Sequence, residues 1–267
     1  MASHLTCTID DGVARVALDR PDKLNGLTLP MLDELATVGR RLRSDRTLRA
    51  VIITGEGRSF CAGLDFATVG NDSRGIAKRF VPRPWRGTNT FQEACWVWRR
   101  LPVPVIAAVH GHCFGGGLQL ALAADYRFTT PDAQWSVMEV AWGLIPDMSG
   151  IQTLKQQVGA DVVKRLAMTG EVVSGTDAVR LGLASEVADD PYAAALAYAQ
   201  TLKSRSPDAI AAAKRLVDRR WTSSARWTLA HERVEQVRLL LAANTSVTRK
   251  AAAAKEPPEY LPRGARR

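Results

Sequence analysis

Three consecutive glycines, Gly115–Gly117, place the strongest constraint on how this chain of 267 residues folds. They follow a short apolar run, "VPVIAAV" (103–109), and precede a run of helix-forming residues, "LQLALAAD" (118–125). Glycine weakens a helix by about 1 kcal/mol per residue relative to alanine, so three of them at a helix start need a physical reason. Two reasons are consistent with the sequence. Main-chain N–H groups at the helix N-terminus can bind an anion, or the helix can pack closely against a strand.

A second glycine-containing loop favours the anion-binding interpretation. The segment "GRSFCAGLDF" (57–66) follows the apolar strand "AVIITG" (50–55), just as "GHCFGGG" (111–117) follows the strand at 103–109. Two strand ends that deliver N–H groups to one place form an oxyanion hole, which stabilises negative charge on a reacting oxygen. The glycine pattern matches neither the dinucleotide-binding motif nor the P-loop, and the sequence has no G-x-S-x-G nucleophile motif.

Hydrophobic periodicity predicts a mixed architecture for the first two-thirds of the chain. Residues 5–9 and 14–18 alternate around Asp11-Gly12, a pattern typical of a β-hairpin. A helix is predicted over 28–43, where a threonine cap and an early proline precede an apolar face, and a strand over 125–130. These elements indicate an α/β fold in which strands and helices repeat along the chain.

The last quarter of the chain is predicted to be helical. Short helices with glycine stops follow Gly150, and from Tyr192 onward the pattern is almost entirely helical. We therefore expect a core domain over residues 1–192 and a helical region over 193–267. The terminal "PPEYLPRGARR" is rich in proline, glycine and charge, so we expect a mobile tail.

Composition and charge narrow the class of protein. The chain is 46% hydrophobic and 24% charged, which is typical of a soluble globular protein, and prolines and histidines interrupt its longest apolar stretch, Leu101–Ala124. We therefore expect no membrane partner, and the absence of a signal-like N-terminus predicts a cytoplasmic protein with four free thiols. The net charge of +9 comes from scattered arginines, which indicates a solvated basic surface or attraction for a phosphate-bearing ligand rather than for nucleic acid. His110 and His112 lack a nearby third ligand, so we expect structural histidines and no metal site.

Five segments, read together and in order, resemble the motifs of a known family. They are "DRPDKLNGLT" (19–28), "FCAGLD" (60–65), "HGHCFGGGLQLALAADYRF" (110–128), "MEVAWGLIPDMSG" (138–150) and "GEVVSGTDAVRLGLASEV" (170–187). Over about residues 5–190 they are similar to the crotonase superfamily, the enoyl-CoA hydratase/isomerase family. The resemblance implies an α/β fold built as a crotonase-like spiral of ββα units with a C-terminal helical region. It also implies an acyl-CoA substrate, no separate cofactor because coenzyme A enters with the substrate, and assembly through the helical region into a homotrimer or a dimer of trimers.

The resemblance assigns binding roles to specific residues. The thioester oxygen is expected between the main-chain N–H groups of Leu64 and Gly116, which would give the glycine triplet its purpose. Coenzyme A is expected along Lys23, Leu24, Gly26, Ala62, Gly63, Asp65 and Gly115. From the residues alone, Lys23 either contacts a phosphate of coenzyme A or is an exposed lysine in a turn without a binding role.

The resemblance also assigns the chemistry, with two departures from the hydratase pattern. Hydratases of the family carry two glutamates, one of which matches Glu139, whereas the other position is Gln119, an amide that cannot serve as an acid or base. Asp147 lies eight residues after Glu139, a spacing similar to the dienoyl-CoA isomerase branch, which also has an aspartate where Gln119 stands. Asp147 is alternatively the N-cap of the following helix. We expect Glu139 to be the working acid/base, with Asp147 adjusting its pKa or delivering a second proton.

The expected function is therefore action on the double bond of enoyl-CoA thioesters, with isomerisation favoured by Gln119. The alternatives are a true hydratase that uses Glu139 and a water held by Gln119, and a non-catalytic acyl-CoA binding protein. Trp85 lies in a segment where the family has a variable loop that lines the acyl pocket, whereas core packing is expected for most of the other aromatic residues.

Overall fold

The computed structural model describes residues 4–265, and its first element is the predicted hairpin. Strand β1 (Leu5–Asp10) pairs antiparallel with β2 (Val13–Leu18). Asp11 and Gly12 at the turn both have left-handed backbone angles, with φ of 44° and 75°. This conformation is required by the tight turn that matches the twist of the two strands, and it explains the Asp-Gly pair.

The main sheet is parallel beyond this hairpin. Its order is β1-β2-β3-β4-β6-β9, and a smaller sheet has the order β5-β7-β8. The remaining strands are β3 (Ala50–Gly55), β4 (Val105–Val109), β5 (His112–Phe114), β6 (Tyr126–Thr129), β7 (Gln134–Ser136), β8 (Val173–Ser174) and β9 (Glu186–Val187). Strands β3 and β4 are buried along their whole length, as their continuous apolar sequences predict for strands covered on both faces.

Helices cover the sheet on both faces. They are α1 (Leu29–Ser44), α2 (Phe66–Val69), α3 (Ser73–Phe80), α4 (Thr90–Arg99), α5 (Gly116–Leu122), α6 (Gly150–Gln157), α7 (Ala160–Thr169), α8 (Gly175–Leu181), α9 (Pro191–Lys203), α10 (Pro207–Arg220), α11 (Ala225–Leu241) and α12 (Ala243–Ala254). Helix α1 begins as predicted, because the side chain of Thr28 accepts a hydrogen bond from the N–H of Met31. The larger core cluster includes α1 and α4, and α9 packs on the opposite face of the sheet through Ala195 and Ala199.

The first C-terminal helix, α9, packs against the core, whereas the later helix α11 is largely exposed. Helix α9 starts at the predicted domain boundary but is part of the sheet packing, whereas α11 is largely exposed, including Trp227 and Leu241. The prediction that this region joins subunits stays a prediction. Within residues 4–265, no helix combines the length and apolarity needed to cross a membrane.

The C-terminal segment that the sequence predicts to be mobile makes several hydrogen bonds to the rest of the fold. The side chain of Asn244 exchanges two hydrogen bonds with the main chain of Leu261, at 2.9 and 3.2 Å. The N–H of Arg263 donates to the carbonyl of Arg46, and the N–H of Gly264 donates to the carboxylate of Asp208 at 2.6 Å. Composition does not reveal these contacts between distant residues, and the mobility of the tail stays a prediction. Arg266 and Arg267 lie outside the described residues.

A buried asparagine anchors the segment 57–66 that follows β3. Asn25 is fully buried with a left-handed backbone (φ 55°), and its amide donates to the carbonyls of Glu56 and Ser59 at 2.9 and 2.7 Å. Its side-chain oxygen accepts from the N–H of Arg20 at 2.8 Å. One side chain thus connects the segment after β2 to the segment after β3.

Replacing this asparagine is expected to cost stability. Asn25→Ala leaves two carbonyls and the N–H of Arg20 without their partner, and an unsatisfied buried group costs about 1–3 kcal/mol, so we expect the free energy of unfolding to fall by about 2–6 kcal/mol. Urea denaturation measures the change. Asn71→Ala is the matched control, because its amide bonds a single carbonyl on an exposed turn. Equal stability of the two variants would contradict the anchoring role.

Candidate active site

The two glycine-containing loops lie edge to edge, as expected from the strands that precede them. The N–H of Cys61 donates to the carbonyl of His112 at 2.8 Å, and the N–H of Phe114 donates back to the carbonyl of Cys61 at 3.0 Å. Strands β3 and β4 are parallel neighbours, so their carboxyl ends deliver both loops to the same edge of the sheet. This pairing determines where every later group of the site lies.

Two main-chain N–H groups on these loops are free of internal partners. Across the described residues, neither the N–H of Leu64 nor that of Gly116 donates to a protein acceptor. Both residues line one cavity. A Cβ built on Gly63 would lie 3.6 Å from the nitrogen of Gly116, so the two loops approach closely here. Gly116 is the first residue of α5, where helix N–H groups have no intrahelical acceptor.

The glycine triplet allows the close packing that the sequence left open as one alternative, and the anion-binding alternative stays a prediction. A Cβ on Gly117 would lie 2.4 Å from the carbonyl oxygen of Cys61, so this glycine permits close packing of helix and strand. Gly115, with φ of 49°, turns the chain into α5, and a Cβ there would lie 3.3 Å from the carboxylate of Glu139. The triplet therefore brings a helix start, a neighbouring loop and an acid together without side chains between them.

The cavity between these elements has a volume of about 400 Å³. Its lining combines the two loops, the start of α5 and the segment 138–148. The lining residues are Ala62, Gly63, Leu64, Phe66, Phe114, Gly115, Gly116, Gln119, Met138, Glu139, Ala141, Trp142, Leu144, Ile145, Asp147 and Met148. All three predicted catalytic residues, both predicted oxyanion residues and three of the predicted coenzyme A residues are thus brought together.

Glu139 is held by the amide that replaces the second glutamate. The side-chain oxygen of Gln119 accepts from the N–H of Gly150 at 2.8 Å, and its nitrogen donates to Glu139 Oε1 at 2.5 Å. Since a main-chain N–H can only donate, the orientation of the amide is determined. Glu139 Oε2 is buried and has no hydrogen-bond partner among the described residues.

Burial raises the pKa of Glu139 above the usual range of a glutamate, and the nearby Asp147 carboxylate raises it further. The hydrogen bond from Gln119 acts in the opposite direction, because it stabilises the ionised form. The site thus contains an acid that accepts a proton more readily than a surface glutamate does. A base with a raised pKa is suited to removing a proton from carbon.

Asp147 belongs to the cavity and not to a helix cap. The N-cap of α6 is Ser149, and that helix start has no side-chain cap hydrogen bond, so the capping alternative for Asp147 is wrong. Burial raises the pKa of Asp147 as well. Two acids with raised pKa values therefore face one apolar cavity.

The other predicted coenzyme A residues lie beside the cavity without lining it. Lys23 is exposed at the end of a 3₁₀ turn, Leu24 accepts the N–H of Ala62 at 2.9 Å, and Gly26 is buried in the same turn region. Asp65 has a structural role, since its carboxylate pairs with Arg20 at 2.7 Å and caps α2.

The aromatic residues of the cavity differ from those expected. Trp85 is 79% exposed and does not line the cavity, whereas Trp142 lines the cavity, is 59% exposed and stacks on Phe66. Sequence reasoning missed Phe66, although its position directly after "AGLD" offered a signal.

The histidines are structural as predicted: His112 bonds Ser59 at 2.8 Å and His110 bonds the carbonyl of Gly57 at 2.9 Å. Among residues 4–265, no group of three or more potential ligands is arranged to hold a metal ion.

Comparison with known proteins decides the family. A family model described as Enoyl-CoA hydratase/isomerase matches residues 8–253. The chain belongs to the enoyl-CoA hydratase/isomerase family. The chain is therefore an enzyme of the lyase or isomerase class, since its relatives include a hydratase and an isomerase.

The most similar relatives in the enoyl-CoA hydratase/isomerase family differ in reaction. The (E)-benzylidenesuccinyl-CoA hydratase of Thauera aromatica is 30% identical over 213 residues, which cover 79% of this chain and 80% of the relative. The human mitochondrial Delta(3,5)-Delta(2,4)-dienoyl-CoA isomerase is 37% identical over 210 residues, which cover 76% of this chain and 64% of that relative. The crystal structure of enoyl-CoA hydratase from Bacillus anthracis superposes with a TM-score of 0.87 at 25% identity, over 97% of this chain and 99% of that one. The predicted crotonase-like fold is confirmed.

The close approach of Gly117 to the Cys61 carbonyl predicts that a side chain at this position lowers stability. In Gly117→Ala the new methyl group collides with the Cys61 carbonyl, so we expect the free energy of unfolding to fall by about 1–3 kcal/mol, the usual cost of overpacking. Gly87→Ala is the control, because its methyl meets no described atom within 4 Å and is opposed only by the left-handed backbone. Thermal unfolding compares them. A Gly117→Ala protein as stable as the wild type would show that this contact is not tight.

Proposed function

We propose that this protein isomerises the carbon–carbon double bond of enoyl-CoA thioesters, with Glu139 as the proton carrier. The observation that carries the proposal is the locked amide of Gln119. Its oxygen is occupied by the N–H of Gly150 and its nitrogen by Glu139 Oε1. One glutamate oxygen, Oε2, is then left to exchange a proton.

The two free N–H groups supply the electrostatic part of the mechanism. We infer that the thioester oxygen accepts from the N–H groups of Leu64 and Gly116, since both residues line the cavity and neither N–H has an acceptor within residues 4–265. Preorganised donors at such a position stabilise the enolate oxygen as charge develops, and one donor typically contributes about 3–4 kcal/mol. We infer that exposed Lys23 and the main chain around Ala62 and Gly63 bind coenzyme A.

The proton transfers balance with one base. Ionised Glu139 removes a proton from C2 of a 3-enoyl thioester, and the C–H electron pair moves toward the thioester carbonyl to form a dienolate. The same carboxyl group then returns the proton to C4, the double bond moves to C2–C3, and the oxygen regains its carbonyl bond. Glu139 leaves the cycle in its starting state.

Hydration is less well supported by the same contacts. Adding water across the double bond in the two-glutamate manner needs a second group that exchanges a proton, and an amide does not. Gln119 also has its acceptor occupied by Gly150, so it is poorly placed to take a hydrogen bond from water.

Asp147 favours a second form of the same reaction on a conjugated substrate. When one carboxylate removes a proton from C2 and the other group, protonated, delivers one to C6, a 3,5-dienoyl thioester becomes a 2,4-dienoyl thioester. Proton exchange with solvent then restores the starting protonation of both groups. Two acids line the cavity, and the human relative named as a Delta(3,5)-Delta(2,4)-dienoyl-CoA isomerase is 37% identical.

Three substrates and two variants test the proposal. We expect gain of conjugated thioester absorbance with 3-enoyl-CoA or 3,5-dienoyl-CoA, and little loss of absorbance with 2-enoyl-CoA. Glu139→Gln should lower kcat by about 10²–10⁴-fold because it removes the acid/base group, and Asp147→Asn should act mainly on the dienoyl substrate. Glu232→Gln, an exposed carboxylate on α11, is the matched control. Fast hydration, or full turnover by Glu139→Gln, would overturn the proposal, and binding without turnover would indicate a receptor.

A pH profile tests the role of Gln119. Its hydrogen bond lowers the pKa of Glu139, so Gln119→Leu should raise that pKa. Since the ionised form removes the proton, the acidic limb of the kcat/KM profile should move to higher pH in the variant. Gln152→Leu, on α6 but not lining the cavity, is the control and should keep the wild-type limb. A limb that stays in place or moves to lower pH in Gln119→Leu contradicts the role.

A further inference from the structure

An aromatic pair joins the two walls of the cavity. The rings of Phe66 and Trp142 are stacked, with centroids 4.5 Å apart and planes inclined by 30°. Phe66 is the first residue of α2, directly after the loop that carries Leu64, whereas Trp142 ends the 3₁₀ turn that carries Glu139. The pair therefore lies next to both the proposed oxyanion donors and the proposed base.

Most of the tryptophan surface remains available beyond this contact. Trp142 is 59% exposed, and Leu144 and Ile145, which line the same cavity, are 49% and 71% exposed. Three large apolar side chains exposed within four residues, beside a cavity, are typical of a surface that a ligand covers. Neither of the two hydrophobic core clusters of the described residues includes these three side chains.

The local backbone holds the pair in place. The carboxylate of Asp65 accepts from the N–H of Thr68 and pairs with Arg20, which fixes the short helix that presents Phe66. On the other wall, Gly143 has a left-handed backbone (φ 68°), which ends the 3₁₀ turn immediately after Trp142. A ring surface held in this way loses little conformational entropy when a ligand binds against it.

We propose that the acyl group of the substrate carries an aromatic ring beyond its double bond, and that this ring binds against Trp142. The inference rests on the proposed function, whose acyl group the proton chemistry leaves open. A flat indole face favours another ring, because stacked or edge-on aromatic pairs gain more than their buried area provides. A flexible alkyl chain of similar size would lose more torsional freedom on the same surface.

The test compares two acyl groups of the same carbon count, one flat and one puckered. Binding of the saturated compounds, 5-phenylpentanoyl-CoA and 5-cyclohexylpentanoyl-CoA, is measured by calorimetry. Turnover of the corresponding 3-pentenoyl-CoA thioesters gives kcat/KM for each ring. We expect the phenyl compounds to be favoured by about 2- to 10-fold in the wild type, the range that aromatic pairs provide. Trp142→Leu should bring both ratios close to one, and Trp142→Phe, which keeps a ring, should retain part of the preference.

Trp85→Leu is the matched control, since Trp85 is 79% exposed and does not line the cavity, and it should keep the wild-type ratios. A wild-type ratio of one or below, or an unchanged ratio in Trp142→Leu, would overturn the ring proposal. Turnover of unbranched 3-hexenoyl-CoA distinguishes failure of the ring proposal from failure of the proposed isomerase function. If it is isomerised without a phenyl preference, the ring proposal alone fails. If nothing is isomerised, the proposed function fails, and the binding ratio still decides on the ring.

Discussion

The site depends on the main-chain pairing between two loops at the carboxyl edge of the parallel sheet. Cys61 and Cys113 lie opposite each other in a short bridge, which brings the N–H groups of Leu64 and Gly116 to one cavity. No side chain is required between the loops, and Gly117 shows why none is tolerated, since an added Cβ would meet the Cys61 carbonyl. The glycine triplet thus allows the close packing of α5 against the loop after β3, and we propose that its Gly116 N–H also donates to the substrate.

A single amide sets the character of the acid chemistry. Gln119 binds the main chain of α6 on one side and Glu139 on the other, so the helix start, the amide and the acid form one connected unit. Burial raises the pKa of Glu139 while this hydrogen bond restrains the rise. Whether the family chemistry runs as hydration or isomerisation then depends on which groups around the cavity can exchange protons, and here these are Glu139 and Asp147.

The sequence predicted the elements whose signals are local. The Asp11-Gly12 hairpin, the Thr28 cap and the buried strand β3 follow from turn chemistry, capping and continuous apolar runs. The positions of Trp142 and of the tail depend instead on contacts between distant segments, which composition does not show. For the same reason the cap alternative for Asp147 was decided only by the conformation of Ser149, whose left-handed backbone begins α6.

The central claim is that two main-chain N–H groups converge on one thioester oxygen. Isotope-edited infrared spectroscopy of bound butanoyl-CoA labelled with ¹³C at the carbonyl measures this directly, because hydrogen bonds to the oxygen weaken the C=O bond. The account predicts a carbonyl stretch at lower frequency in the complex than in water. A stretch at the frequency in water, or above it, would contradict the account.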